Sequence, residues 1–242
     1  MADEAEDGPK YVLITENREK KHISREYAGK GTAYYPNGDI YEGDFQDGIR
    51  EGRGKYFYAG NGDKYDGEWK NNFKHGIGKM LYNGKGEYNG YWENGRRHGE
   101  GVFTYPNGDV YSGWWKFGEK EGTGTYLFKV TGMKLYGQWV KSKIESGKWI
   151  YPNGMFFEGQ FENNKPSGKG KWVYKNGNTL TGHYEQKKKG EDEEEEVQEE
   201  ELEEGQEPKP KFTLIWHSDT GIAESAHLVN SVEQWWFYIS LF

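Results

Sequence analysis

The chain has no cysteine among its 242 residues, which excludes disulfides, thiol nucleophiles and thiolate metal sites together. It also lacks an N-x-[ST] glycosylation acceptor and an N-terminal apolar stretch, so a reducing intracellular compartment is the simplest setting. Long hydrophobic runs are missing as well. The longest, Trp235 to Ile239, falls far short of the ~20 residues a membrane-crossing helix needs, and the chain is expected to be soluble. Apolar types make up only 33% of the residues, against 36 Gly, 19 Tyr, 12 Phe and 10 Trp. A core of this composition is built from rings rather than aliphatic side chains.

A concentrated basic stripe is absent too. Residues 27–185 hold 22 Lys+Arg and 18 Asp+Glu, a balance of +4, so the formal net charge of −8 leaves −12 for the two ends. Recognition of a phosphate backbone needs clustered positive charge, and an acidic tail repels it, so no nucleic-acid partner is expected.

What is present is a period. Gly43, Gly67, Gly90, Gly113, Gly137, Gly159 and Gly182 recur every 22 to 24 residues, each two positions before Phe45, Trp69, Trp92, Trp115, Trp139, Phe161 or Tyr184. A fixed interval of this size means one short supersecondary unit copied along the chain. The most complete copy, Gly99 to Trp115, reads as two period-2 strands around Pro106-Asn107-Gly108-Asp109, which is a hairpin signal. Gly101, Phe103 and Tyr105 share one face of the first strand, and Tyr111, Gly113 and Trp115 one face of the second. An odd loop of Asn107, Gly108 and Asp109 aligns the two faces and places Tyr105 opposite Tyr111, Phe103 opposite Gly113 and Gly101 opposite Trp115. Phe103 and Trp115 then each fold over a residue without a side chain. Copies two and five carry one extra residue between their strands, which predicts wider turns. In copy six Glu145 replaces the first glycine of the G-x-G pair, which predicts local irregularity.

Because a lone hairpin is marginal in water, the copies must stack. The expected fold is all-β: an elongated, twisted single-layer antiparallel sheet of seven consecutive hairpins, with mostly irregular tails. Four segments follow: 1–26, acidic with a capping strand at Lys10 to Thr15; 27–185, the repeats; 186–211, a linker with twelve acidic residues between Glu191 and Glu207, too charged to fold; and 212–242, an aromatic docking segment. That last segment contains the strand-like Phe212 to Trp216 and the apolar Trp235, Trp236 and Phe237; it either folds back on the repeats or inserts into a neighbouring subunit.

No catalytic chemistry is expected. The G-x-G pairs lack the third glycine and following helix of a dinucleotide fingerprint, and no G-x-x-x-x-G-K-[ST] occurs. His75 and His98 sit in equivalent connections 23 residues apart with no second nitrogen ligand nearby, so neither a metal nor a cofactor is expected. No nucleophile with a partnered base stands out. Aromatics at alternate positions, Tyr91, Trp114 and Phe57, fall on the opposite face from the repeat rings and are candidate partner-binding anchors.

The units Tyr41-Glu42-Gly43-Asp44-Phe45, Tyr65-Asp66-Gly67-Glu68-Trp69, Lys74-His75-Gly76-Ile77-Gly78 and Arg97-His98-Gly99-Glu100-Gly101 closely resemble the MORN repeat, the membrane occupation and recognition nexus motif. With their acidic flanks, they resemble most the MORN-containing subunits of the ciliary radial spoke head. The resemblance implies a non-enzymatic structural subunit of the axoneme in a cilium or flagellum. Its implied partners are other radial spoke head proteins, a second MORN-repeat subunit among them, and projections of the central apparatus. The wider family also implies an alternative, a membrane-tethering module for acidic phospholipids. Lys70, Lys74, Arg96, Arg97, Lys116, Lys120, Lys141 and Lys143 recur in corresponding places as its basic edge.

Overall fold

Every copy of the period folds as an antiparallel hairpin, and no helix forms among the described residues. The computed structural model describes residues 10–188 and 212–219. Residues 1–9, most of the expected acidic linker and the apolar terminus with Trp235, Trp236 and Phe237 lie outside them.

Two compact units divide between Ser142 and Lys143. The first contains β1 (Val12–Thr15), β2 (Lys20–Lys21), β3 (Gly29–Tyr34), β4 (Ile40–Gln46), β5 (Ile49–Phe57), β6 (Lys64–Lys70), β7 (Phe73–Tyr82), β8 (Gly86–Glu93), β9 (Arg96–Thr104), β10 (Val110–Lys116), β11 (Glu119–Leu127) and β12 (Lys134–Val140). From β3 to β12 each strand pairs with the next in sequence, giving five hairpins in an open meander. At its start β1 pairs antiparallel with β3. The second unit contains β13 (Lys143–Ile150), β14 (Phe156–Glu162), β15 (Lys165–Val173), β16 (Thr179–Lys188) and β17 (Phe212–Ser218). It completes the seven hairpins, and β16 carries its ladder past the expected boundary at residue 185. β17 pairs antiparallel with β16, with Trp216 opposite Tyr184 and the Leu214 and Trp216 side chains buried.

The hairpin loops lie one residue earlier than expected, which shifts the pairing by two residues, for a conformational reason. Tyr105 N–H donates to Asp109 O at 2.9 Å, so the three-residue loop is Pro106, Asn107 and Gly108. Such loops require their last residue in the left-handed region, and Gly108 supplies it at φ 84°; the expected loop would have put Asp109 there. As a result Tyr111 lies opposite Phe103, Gly113 opposite Gly101 and Trp115 opposite Gly99. Glycine faces glycine, and the rings reach the glycines diagonally. In copies two and five the loops are one residue wider, closed by Tyr58 N–H to Asp63 O at 3.0 Å and Phe128 N–H to Met133 O at 2.9 Å. Successive hairpins are joined by two-residue turns with both residues at positive φ, such as Asn71 (49°) and Asn72 (67°), whose twist matches that of the strands. His75 and His98, expected in those connections, instead lie within β7 and β9.

The core of the first unit is a ladder of rings on one face. Tyr65, Tyr88 and Tyr111 are at most 1% exposed, and Trp69, Trp92, Trp115 and Trp139 at most 4%. Each indole packs edge-on against the tyrosine one repeat back: Tyr41–Trp69 at 5.3 Å, Tyr65–Trp92 at 5.4 Å, Tyr88–Trp115 at 5.3 Å and Tyr111–Trp139 at 5.2 Å between centroids. Their Nε1–H groups donate to the carbonyls of Gly54, Gly78, Gly101 and Gly124 at 3.0 to 3.2 Å. The glycines therefore serve twice, clearing space for a phenol and exposing a carbonyl to an indole. Asp39 and Asp109, the acidic residues of the Pro-Asn-Gly-Asp loops, tie adjacent hairpins: each accepts from the phenol of Tyr56 or Tyr126 at 2.8 or 2.9 Å and from a backbone N–H one hairpin on.

The glycine pairs leave no room for a methyl group. A Cβ on Gly101 would lie 2.5 Å from Cε2 and Cζ of Tyr88, a ring that is itself fully buried. Gly101→Ala is expected to destabilise by about 1–3 kcal/mol. Gly60→Ala, where a Cβ meets nothing within 4 Å, is the control. Urea midpoints that fall equally in both variants would contradict the packing.

Candidate protein-binding face

The face opposite the ring ladder is set by one position in each copy, the residue between the recurring glycine and the buried ring. In the first unit this position holds Asp44, Glu68, Tyr91, Trp114 and Gln138. At Tyr91 and Trp114 the sheet carries wide bulges. Gly90 pairs with Gly101 but Trp92 with Arg97, so Tyr91 alone faces His98, Gly99 and Glu100. Trp114 likewise faces Glu121, Gly122 and Thr123. The first glycine of each G-x-G pair absorbs the bulge, as Gly99 does at φ 58°, and such bulges re-aim side chains.

The buried tyrosines hold these bulges in place. Tyr88 Oη–H donates to the carbonyl of Tyr91 at 2.9 Å and Tyr111 Oη–H to that of Trp114 at 3.2 Å. Burial pushes both phenols well above the usual tyrosine range. The exposed rings are thus fixed through their backbone by the core beneath them.

Tyr91 and Trp114 are 49% and 50% exposed, and with Ile77 (48%), Val102 (39%) and Tyr136 (44%) they line an open groove of about 540 Å³ across β7 to β12. Polar Asn89, Ser112, Thr123 and Thr125 fill the space between them. The same face over β3 to β6 is different in kind, carrying Glu42, Asp44, Arg53, Lys55, Asp66 and Glu68 at the paired positions. Of the six sequence candidates, Tyr91, Trp114, Phe57, Trp235, Trp236 and Phe237, the first two meet in one site. Phe57 does not join them: it is half-buried in a separate depression with Ile40, Lys64 and Leu81. Trp235, Trp236 and Phe237 lie outside the described residues. Ile77, Val102 and Tyr136 escaped the sequence reading, although each sits one residue out of phase with a buried neighbour, the period-2 mark of an outward side chain.

The basic residues are also sorted by the fold. Arg50 Cζ, Lys74 Nζ, Arg97 Cζ and Lys120 Nζ lie 4.5, 4.5, 4.3 and 4.9 Å from the ring centroids of Trp69, Trp92, Trp115 and Trp139. They cap the ladder by cation–π contact. Burial lowers Lys74 and Lys120 to about 8, the Arg97 charge adding to the fall in both. Three of the eight residues of the expected basic edge, Lys74, Arg97 and Lys120, are thereby turned into the ring face. Among the described residues no group of three His, Asp or Glu side chains is placed to hold a metal ion.

These features define an open antiparallel hairpin-repeat protein whose own rings fill one face and whose other face presents a fixed aromatic patch to solvent. The chain belongs to the MORN repeat family, whose pattern matches residues 26–40, 41–62, 65–87, 88–110, 111–130 and 157–179. The unmatched stretch 131–156 contains Glu145, where the repeat glycine is missing. No curated protein matches the chain. Among solved structures it is similar to the SAS-4 (dCPAP) TCP domain of Drosophila melanogaster, determined in complex with a proline-rich motif of Ana2 (dSTIL), at 21% identity over 63% of this chain and 83% of that chain, with a TM-score of 0.41.

Proposed function

We propose that this protein is a non-enzymatic scaffold subunit that binds partner proteins through the outer face of its first unit, and that its setting is the radial spoke head of a ciliary or flagellar axoneme. The observation that carries the binding reading is the cluster of Ile77, Tyr91, Val102, Trp114 and Tyr136, each between 39% and 50% exposed. The core is complete without these side chains, and contiguous exposed apolar surface on a folded protein marks an interaction site. Trp and Tyr also dominate measured binding energies. The ciliary setting rests on the likeness of the repeats and acidic flanks to radial spoke subunits. It assigns as partners other spoke-head proteins, a second MORN subunit among them, and the central apparatus projections.

A photo-crosslinking residue at Tyr91 in ciliated cells tests both parts. Crosslinks to spoke-head subunits, lost on Trp114→Ala, are the expected result. Crosslinks to lipid alone, or a pattern indifferent to Trp114, would reject the protein-binding reading; capture of partners unrelated to the axoneme would reject only the setting. Trp114→Ala should leave stability within about 1 kcal/mol, as expected of a half-exposed side chain.

A further inference from the structure

We propose that the groove between Tyr91 and Trp114 takes a proline-rich segment in the polyproline II conformation, running across the strands with a Lys or Arg against Glu100. The inference deepens the protein-binding reading above and rests on it. Tyr91 on β8 and Trp114 on β10 occupy the same repeat position, two strands apart with β9 between them. At the spacing of neighbouring strands their Cα positions are about 9.6 Å apart.

That interval selects the ligand. A polyproline II helix repeats every three residues with a rise of about 3.1 Å per residue, so equivalent side chains recur at about 9.3 Å. A segment with proline at every third position therefore offers one pyrrolidine ring to each aromatic ridge. An α-helix with its side chains is about 10–12 Å across, too wide to lie between ridges about 9.6 Å apart, and across the strands it would have to ride over them. Strand addition is closed off because β9 is laddered on both sides, to β8 and to β10.

The chemistry of the groove agrees with its spacing. A polyproline II segment has no internal hydrogen bonds, so its carbonyls need donors. Trp114 and Tyr91 line the groove, and neither the indole N–H nor the phenol donates to a described residue. Aromatic walls with such donors are the general means of recognising proline-rich peptides. Glu100 lies opposite Trp114 in the ladder, is exposed, and among the described residues is the one charged residue lining the groove. It fixes the preferred sign of the ligand as positive.

Fluorescence anisotropy of a labelled oligoproline carrying one arginine, titrated with the full chain, tests the proposal. A probe of equal length with alanine in place of proline is the control. Binding is expected for the oligoproline and not for the control. Trp114→Ala and Tyr91→Ala should each weaken it roughly tenfold or more, and Glu100→Gln should remove the preference for the arginine-bearing probe. Gln138→Trp provides a variant that does not depend on losing a ring: Gln138 is the same repeat position on β12, and a third ridge there should tighten a longer oligoproline several-fold. Failure of the oligoproline to bind, equal binding by Trp114→Ala, or equal binding of the alanine probe would overturn the inference. If Trp114→Ala abolishes the cellular crosslinks while no oligoproline binds, the polyproline reading fails and the protein-binding reading stands.

Discussion

Trp92→Ala lowers the stability of the protein by about 3–5 kcal/mol, while Glu93→Ala changes it by less than about 0.5 kcal/mol. The two residues are neighbours on β8 and occupy opposite faces of the sheet. Trp92 is 3% exposed, packs edge-on against Tyr88 at 5.2 Å within its own strand and against Tyr65 at 5.4 Å on β6, and donates to Gly78 O at 3.0 Å. Its loss opens a cavity between two hairpins, leaves a buried carbonyl without its donor and removes the ring beneath Lys74. Glu93 is exposed and its carboxylate lies 3.3 Å from His98 Nδ1 at the surface, where even a charged pair contributes little. Urea unfolding of both variants decides the matter; equal midpoints would mean that the ladder does not hold the repeats together. Trp92→Phe should recover part of the loss by restoring bulk without the N–H.

The second large effect is alkaline unfolding. Burial raises the phenols of Tyr41, Tyr65, Tyr88 and Tyr111 above their ordinary value of 10.0, and each donates its proton to a backbone carbonyl. A group whose folded-state value is raised stabilises the fold fully below its unfolded value and loses that contribution as the pH rises above it. Above pH 10 each of the four therefore removes about 1.4 kcal/mol per pH unit, about 5–6 kcal/mol together, against a total stability of about 5–15 kcal/mol. Lys74 and Lys120 act in the opposite sense, because burial lowers them to about 8 from 10.5. Their cost is present below pH 8 and is relieved between there and 10.5. Stability should thus rise between pH 8 and 10, by up to about 5 kcal/mol for the two lysines together, and then collapse, with the tyrosinate absorbance of the buried rings and loss of sheet signal appearing together. Tyrosinate absorbance that is complete near pH 10, buried rings included, while the sheet signal persists would show that the phenols are not held as described.

Much of the fold was legible because its determinant is periodic. The interval of Gly43, Gly67, Gly90 and Gly113 and the rings two residues later fixed the class, the hairpin count and the buried face, since period-2 alternation leaves one choice of face per strand. The register was not legible at the same level. It turned on which loop residue takes positive φ, and Gly108 rather than Asp109 decided it. The two-residue turns at Asp47-Gly48 and Asn94-Gly95 carry the residues such turns favour, a signal overshadowed by the stronger one at Pro-Asn-Gly-Asp.

The candidate site was half legible. Tyr91 and Trp114 stand out as rings at an outward position, but nothing local joins them to Ile77, Val102 and Tyr136 or detaches Phe57. Those relations depend on pairing between strands remote in sequence. Lys74, Arg97 and Lys120 make the same point: their spacing suggested a surface row, and the sheet laid them over indoles. By itself the sequence determined that glycine and aromatic residues alternate into a stack of hairpins, because that pattern is local and repeats. Only the tertiary structure decided which rings remain in water and which charges do not, because the bulges and the cross-strand register set where each side chain ends up.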